Sequence, residues 1–216
     1  MLDLGLQRLR ELVAQHGVAG ADDWLTTALD KIDPDALSGV RVLLARCTRK
    51  VGDARLPGET LGAAGWTVRD AARAAVVLRV FEQVDPESAV TAYGQWLRRG
   101  EQGEQESLLR MLPLLPGPTR LVPHAVEACR TNSEVVFRAV ACGNPYPAAH
   151  FPDDSFNQLV LKAVFMGVPV EEINGLSRRV TAELLRMADD FAAERTAAAR
   201  PVPADIGLLH QLLESR

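Results

Sequence analysis

Lysine is scarce in this chain, and one of only three, Lys162, falls on a helix that is otherwise apolar nearly all round. An ammonium withdrawn from water releases its proton more readily and can serve as a base or a nucleophile; the same lysine with its tip in water is a solvated cation. Asn157 lies among Val160, Leu161 and Val164 on the same helix, and Gln158 shares a narrow face with Lys162. A buried asparagine braces loop backbone, here the loop that begins at Gly143 and ends near Phe151. Arg73 stands between Val76, Val77 and Val80, with Arg69 one turn earlier. Two guanidiniums at i, i+4 can clamp a phosphate or carboxylate, or they can pair with Asp70 and a neighbouring helix. Arg195 projects into an apolar stripe formed by Val180, Leu184, Met187, Ala188, Phe191 and Ala198. It therefore needs a core ion pair, a snorkelling stem or a bound anion.

Positioning these side chains falls to helices. Apolar residues recur with helical spacing, and no segment alternates with a period of two. The pattern predicts helices over 2–16, 22–33, 34–51, 67–84 and 85–99, then a polar linker over 100–105 and a helix running to a proline cluster at 112–118. Further helices are predicted over 119–130, 133–142 and 153–166, a turn near 169–174, a long helix over 177–199 and a short one from Pro203. Residues 52–66 hold four glycines and Pro57 and form the clearest loop. Gly143-Asn144-Pro145-Tyr146-Pro147 reads as a rigid loop, since two prolines restrict its backbone. The expected fold is all-α: about twelve helices stacked in antiparallel pairs, as a degenerate HEAT-like solenoid or an irregular helical bundle, in a single domain spanning 1–216.

Composition removes several classes of function. The 216 residues carry a formal net charge of −4, whereas nucleic-acid binders show a basic surplus. Cys47, Cys129 and Cys142 are odd in number and widely spaced, which fits reduced thiols in the cytoplasm. The four histidines lack zinc-ligand spacing. Neither a secretory leader nor a run of about 20 apolar residues is expected. No phosphate-binding loop, dinucleotide fingerprint, nucleophile elbow or paired acidic metal motif occurs, so no catalytic residue, metal or cofactor is assigned.

Arg130-Thr131-Asn132, Val136-Phe137, Asn144-Pro145-Tyr146-Pro147-Ala148 with Phe151, and Asn157 through Ala163 with Phe165 follow one another in an order by which the sequence from Arg130 onward resembles the EboA-domain family. Gly175-Leu176, Arg178-Arg179, Glu183-Leu184, Arg186-Met187, Glu194-Arg195 and Ala198-Ala199-Arg200 continue it. Upstream, Gly65-Trp66, Ala71-Ala72-Arg73 and Leu112-Pro113-Leu114-Leu115-Pro116 extend the coverage to residues 65–200. The chain departs from the family pattern at Ala193, where histidine is common, and at Thr196, where an aromatic is usual. The resemblance implies a component of a bacterial or algal secondary-metabolite cluster. Its neighbours resemble a prenyltransferase, a sugar-phosphate-cyclase-like protein, TIM-barrel proteins and a metal hydrolase, and in cyanobacteria the cluster is linked to export of a sunscreen-pigment precursor.

Three functions follow as expectations. The first is a non-catalytic binding or scaffold protein whose helical groove takes a small pathway intermediate or a partner enzyme of the same cluster, with neither nucleic acid nor a membrane span involved. Its candidate ligand-binding residues are Arg73, Arg130, Asn132, Asn144, Tyr146, Asn157, Lys162, Arg179 and Arg195. The second is a purely structural interaction module with an exposed apolar groove. The third is an enzyme without a known motif, in which Lys162 and His150 would share a deep pocket.

Overall fold

The structure, a computed structural model, describes residues 5–57 and 65–215, so residues 58–64 of the expected 52–66 loop lie outside the described residues. The fold is all-α: thirteen α-helices occur among the described residues, and extended pairing is confined to isolated bridges between Arg55 and Thr67 and between Cys142 and Ile173. Tertiary contacts divide the chain into two compact units, Met1–Ala125 and Val126–Arg216. No helix among the described residues is long and apolar enough to cross a membrane.

The first unit holds α1 (Leu6–His16), α2 (Ala21–Asp30), α3 (Ser38–Val51), α4 (Val68–Gln83), α5 (Pro86–Arg99), α6 (Gln102–Arg110) and most of α7 (Pro118–Ala128). Its centre is α4, which packs against α1, α3 and α6. Alanines at 71, 72, 74 and 75, with Val68, Val76, Val77 and Val80, are fully buried. Small side chains on several faces let neighbouring helices approach closely, which is why a helix so rich in alanine ends up inside. Thr67 and Asp70 form a reciprocal capping box at its start. Asp85 caps α5 through the backbone N–H groups of Glu87 and Ser88.

The second unit holds α8 (Glu134–Ala141), α9 (Tyr146–His150), α10 (Asp153–Met166), α11 (Leu176–Arg179), α12 (Ala182–Ala197) and α13 (Asp205–Glu214). The central contacts of this unit run from α10 to α8 and α12, and α13 packs on α12. Phe156, Leu159, Val160, Ala163 and Val164 form the buried side of α10.

Four local expectations differ from what is observed. Pro34 sits in a turn closed by Ala36 N–H on the Asp33 carbonyl and by Asp35 N–H on the Asp33 carboxylate, so α3 begins at Ser38. The linker over 100–105 is already helical from Gln102, because Glu101 and Glu104 cap each other. The rigid loop at 143–147 passes directly into α9. The long helix over 177–199 is broken at Val180–Thr181, where the extended Thr181 accepts Leu184 N–H at 3.1 Å and starts α12 afresh.

Candidate functional site

A recess of about 590 Å³ opens on the second unit, lined by Leu161, Lys162, Phe165 and Met166 from α10, Phe191 from α12 and Asn132 from the α7–α8 connection. Its volume falls within the ~300–1,000 Å³ typical of small-molecule sites, and the lining has the usual mixture of apolar walls and few polar groups. Phe165 is 72% exposed, a large apolar surface to leave in water. It meets Phe191 edge-on, with ring centroids 6.3 Å apart and planes at 62°. The geometry follows from α10 being apolar on two sides. One side is spent on the core, and the other, Leu161, Phe165 and Met166, remains facing the recess.

Lys162 supplies the charge. Its ammonium donates to the carbonyl of Thr131 at 2.6 Å and lies 5.9 Å from the centroid of Phe137. No carboxylate among the described residues pairs with it. Held at one proton by the Thr131 carbonyl, the ammonium keeps further donors for an acceptor in the recess. Among the described residues that line the recess, Lys162 is the only ionisable side chain.

Of the nine sequence candidates, Asn132 and Lys162 line this recess. Arg130 is exposed in the turn after α7 and pairs with Glu127, three residues earlier, at 3.0 Å. Asn144 is buried: its amide donates to the Ala139 carbonyl at 3.0 Å, and its oxygen accepts Tyr146 N–H at 3.0 Å. It thereby performs the bracing that the sequence suggested for Asn157. Asn157 is itself only 3% exposed on α10.

Tyr146 is buried with its ring 4.9 Å from that of His150 and edge-on to Phe151, and burial pushes its phenol above the ordinary range. Arg179 clamps α9 from α11, donating to the carbonyls of Ala148 at 2.7 Å and Phe151 at 2.9 Å and to Asp153 at 2.8 Å, while its plane stacks 4.6 Å from the Phe156 centroid. The close approach needs Gly175, whose φ is +76° and where a Cβ would lie 2.7 Å from that of Ala148. Arg195 lies over Phe191 at 6.0 Å and donates to the Pro201 carbonyl at 3.0 Å, tying the chain after α12 back to the helix.

Arg73 belongs to the first unit and is spent there. Only 4% exposed, it donates to the carbonyls of Leu44 at 3.1 Å and Gly103 at 2.6 Å, and to the hydroxyls of Ser107 at 2.8 Å and Thr48 at 3.3 Å. Asp70, fully buried one turn away, accepts from Thr67, Ser107 and Arg110. Within this buried network the Arg73 guanidinium is committed to partners of its own unit.

Burial disfavours the thiolate at all three cysteines. Burial pushes Cys129 up to about 12, with Lys162 pulling the other way, and pushes Cys142 up to about 11 despite Arg138. His150 is held below its ordinary value by desolvation and stacks on Tyr146, apart from the recess lining. The lining therefore carries one cation and one amide, a set that can bind and orient a molecule.

The apolar half of the site, Leu161, Phe165, Met166 and Phe191, escapes a search for polar residues in apolar places. Its one signal in the sequence is that α10 has more apolar positions than a one-sided helix needs. A family model described as metabolite traffic protein EboA matches residues 50–210. No curated protein and no solved structure matches the chain.

Proposed function

The chain belongs to the EboA family, and on that premise we propose that it holds a small, largely apolar pathway metabolite in the recess between α10 and α12, without transforming it. The bound molecule has a flat or branched hydrocarbon body against Phe165 and Phe191 and one acceptor group, carboxylate, phenolate or carbonyl, on the Lys162 ammonium. The family description speaks of metabolite traffic, and this reading gives it a physical form: a cytoplasmic carrier or scaffold in a secondary-metabolite pathway. The observation that carries it is Phe165, a phenylalanine left largely in water beside a second aromatic ring and a cation that lacks a carboxylate partner among the described residues.

Native mass spectrometry of the chain purified from cells that make the metabolite tests this reading. A bound small molecule released by organic solvent, and absent from a Phe165→Asp variant, is the expected result. A wild-type spectrum with no adduct, or an adduct equally present in the variant, contradicts it.

A further inference from the structure

The first unit carries a second feature, independent of the recess. Helix α3 has the sequence Ser-Gly-Val-Arg-Val-Leu-Leu-Ala-Arg-Cys-Thr-Arg-Lys-Val, with four cations and no carboxylate in fourteen residues. Val40, Leu44, Cys47 and Val51 face the core. Outside lie two adjacent rows: Arg41, Ala45 and Arg49 in one, Val42, Arg46 and Lys50 in the next. The rows run about 12 Å along the helix. Elsewhere arginines find carboxylates, as Arg69 does with Glu106 and Arg138 with Glu172. None of the four cations of α3 has a carboxylate within 4.0 Å among the described residues, and Arg41 donates instead to the backbone carbonyl of Arg99.

Helix dipoles account for part of this arrangement: Arg49 and Lys50 lie in the last turn of α3, and Arg41, unfavourable near the positive end of its own helix, meets the last carbonyl of α5. Arg46 and Lys50 are a like-charge pair at i, i+4, which weakens the helix. The cost is relieved when an acidic surface is placed opposite.

We propose that the outer face of α3 docks an acidic protein segment, a helix that presents carboxylates one turn apart at i, i+4 and i+8 around a small apolar residue. Arginine forks take carboxylates two-handed. Val42, 56% exposed, and Ala45 give such a helix an apolar seat between the charges. A lipid surface gains little here, because the apolar side of α3 is in the core and the outer face bears no aromatic residue. A long nucleic acid would run from this short patch onto a chain of net charge −4, and it finds no stacking ring on α3.

Fluorescence anisotropy of the full chain tests the proposal, with a labelled synthetic helical peptide bearing glutamates at i, i+4 and i+8 around a leucine. Binding is expected, weakening at least about tenfold between ~50 and ~500 mM salt. Arg46→Glu/Arg49→Glu should lose about tenfold or more for this peptide and gain affinity for its lysine-substituted counterpart. Arg46→Gln/Arg49→Gln, which removes the charges without adding repulsion, should lose affinity in the same direction should the reversed variant fail to fold by circular dichroism. The proposal is overturned by no binding at low salt, by unchanged affinity in the folded variant, or by tighter binding of oligouridine or phosphatidylglycerol vesicles than of the acidic peptide.

Discussion

The imidazole of His124 on α7 lies directly over Gly94 on α5, where an added Cβ would come within 2.4 Å of its Cε1. The ring fills the space that the missing side chain leaves, and it also stands 6.4 Å from Tyr93, whose hydroxyl donates to the Leu108 carbonyl at 2.8 Å. Gly94→Ala should therefore overpack this contact and cost about 1–3 kcal/mol, read as a lower urea midpoint. Since the imidazole is the obstacle, the cost should shrink in a His124→Ala background, a coupling that a double-mutant cycle measures.

The same histidine gives the fold a pH dependence. Desolvation, and secondarily Arg98, holds His124 below its ordinary 6.5, and desolvation does the same to His150. The folded state thus favours the neutral rings. Their contribution is complete above pH 6.5 and is lost as pH falls from there through the lower folded-state values. The urea midpoint should fall between pH 7.5 and 5, above the window in which the depressed carboxyls of Glu172 and Asp85 titrate. His124→Gln should flatten that fall; a midpoint that stays level or rises in wild type contradicts the assignment.

Arg73 is predicted to be a stability residue. Arg73→Ala strands a set of buried acceptors and should cost about 3–5 kcal/mol, and Arg73→Lys should not restore it because one ammonium cannot reach all four partners. Thermal melts check this. Ligand affinity per folded molecule should be unchanged, since Arg73 lies outside the recess lining.

Arg179→Ala should release α9. It removes donors from two backbone carbonyls and a stacked guanidinium from Phe156, a loss of roughly 2–4 kcal/mol. Hydrogen exchange should accelerate first across residues 146–152. An unchanged exchange pattern would mean that the clamp contributes nothing.

Much of the fold was legible in the sequence because its signals are local. Thr67 and Asp85 are polar caps before apolar repeats, and both start helices where the spacing predicts. Where the signal was ambiguous, the deciding contact was a side chain bonding its own neighbourhood: Asp33 closing a turn at Pro34, and Thr181 restarting a helix. The candidate site was less legible. A polar residue in an apolar stripe looks the same whether its partner is a ligand or a carbonyl. Arg73, Asn144 and Arg179 prove to be committed to hydroxyls, backbone and carboxylates of their own unit, whereas Lys162 is held by a single carbonyl. The aromatic pair was hidden because an apolar residue on an apolar helix carries no sign of which side meets water, and only packing decides it.

The recess itself is tested most directly by fluorescence titration with 8-anilinonaphthalene-1-sulfonate, an aromatic body bearing one anion. Saturable 1:1 binding is predicted. Phe165→Ala should weaken it about tenfold while changing folding stability by no more than about 0.5 kcal/mol, since the ring is mostly in water. Lys162→Met should weaken the sulfonate probe and leave an uncharged naphthyl analogue unaffected. Equal affinity of wild type and Phe165→Ala for the sulfonate probe would contradict a binding site between α10 and α12.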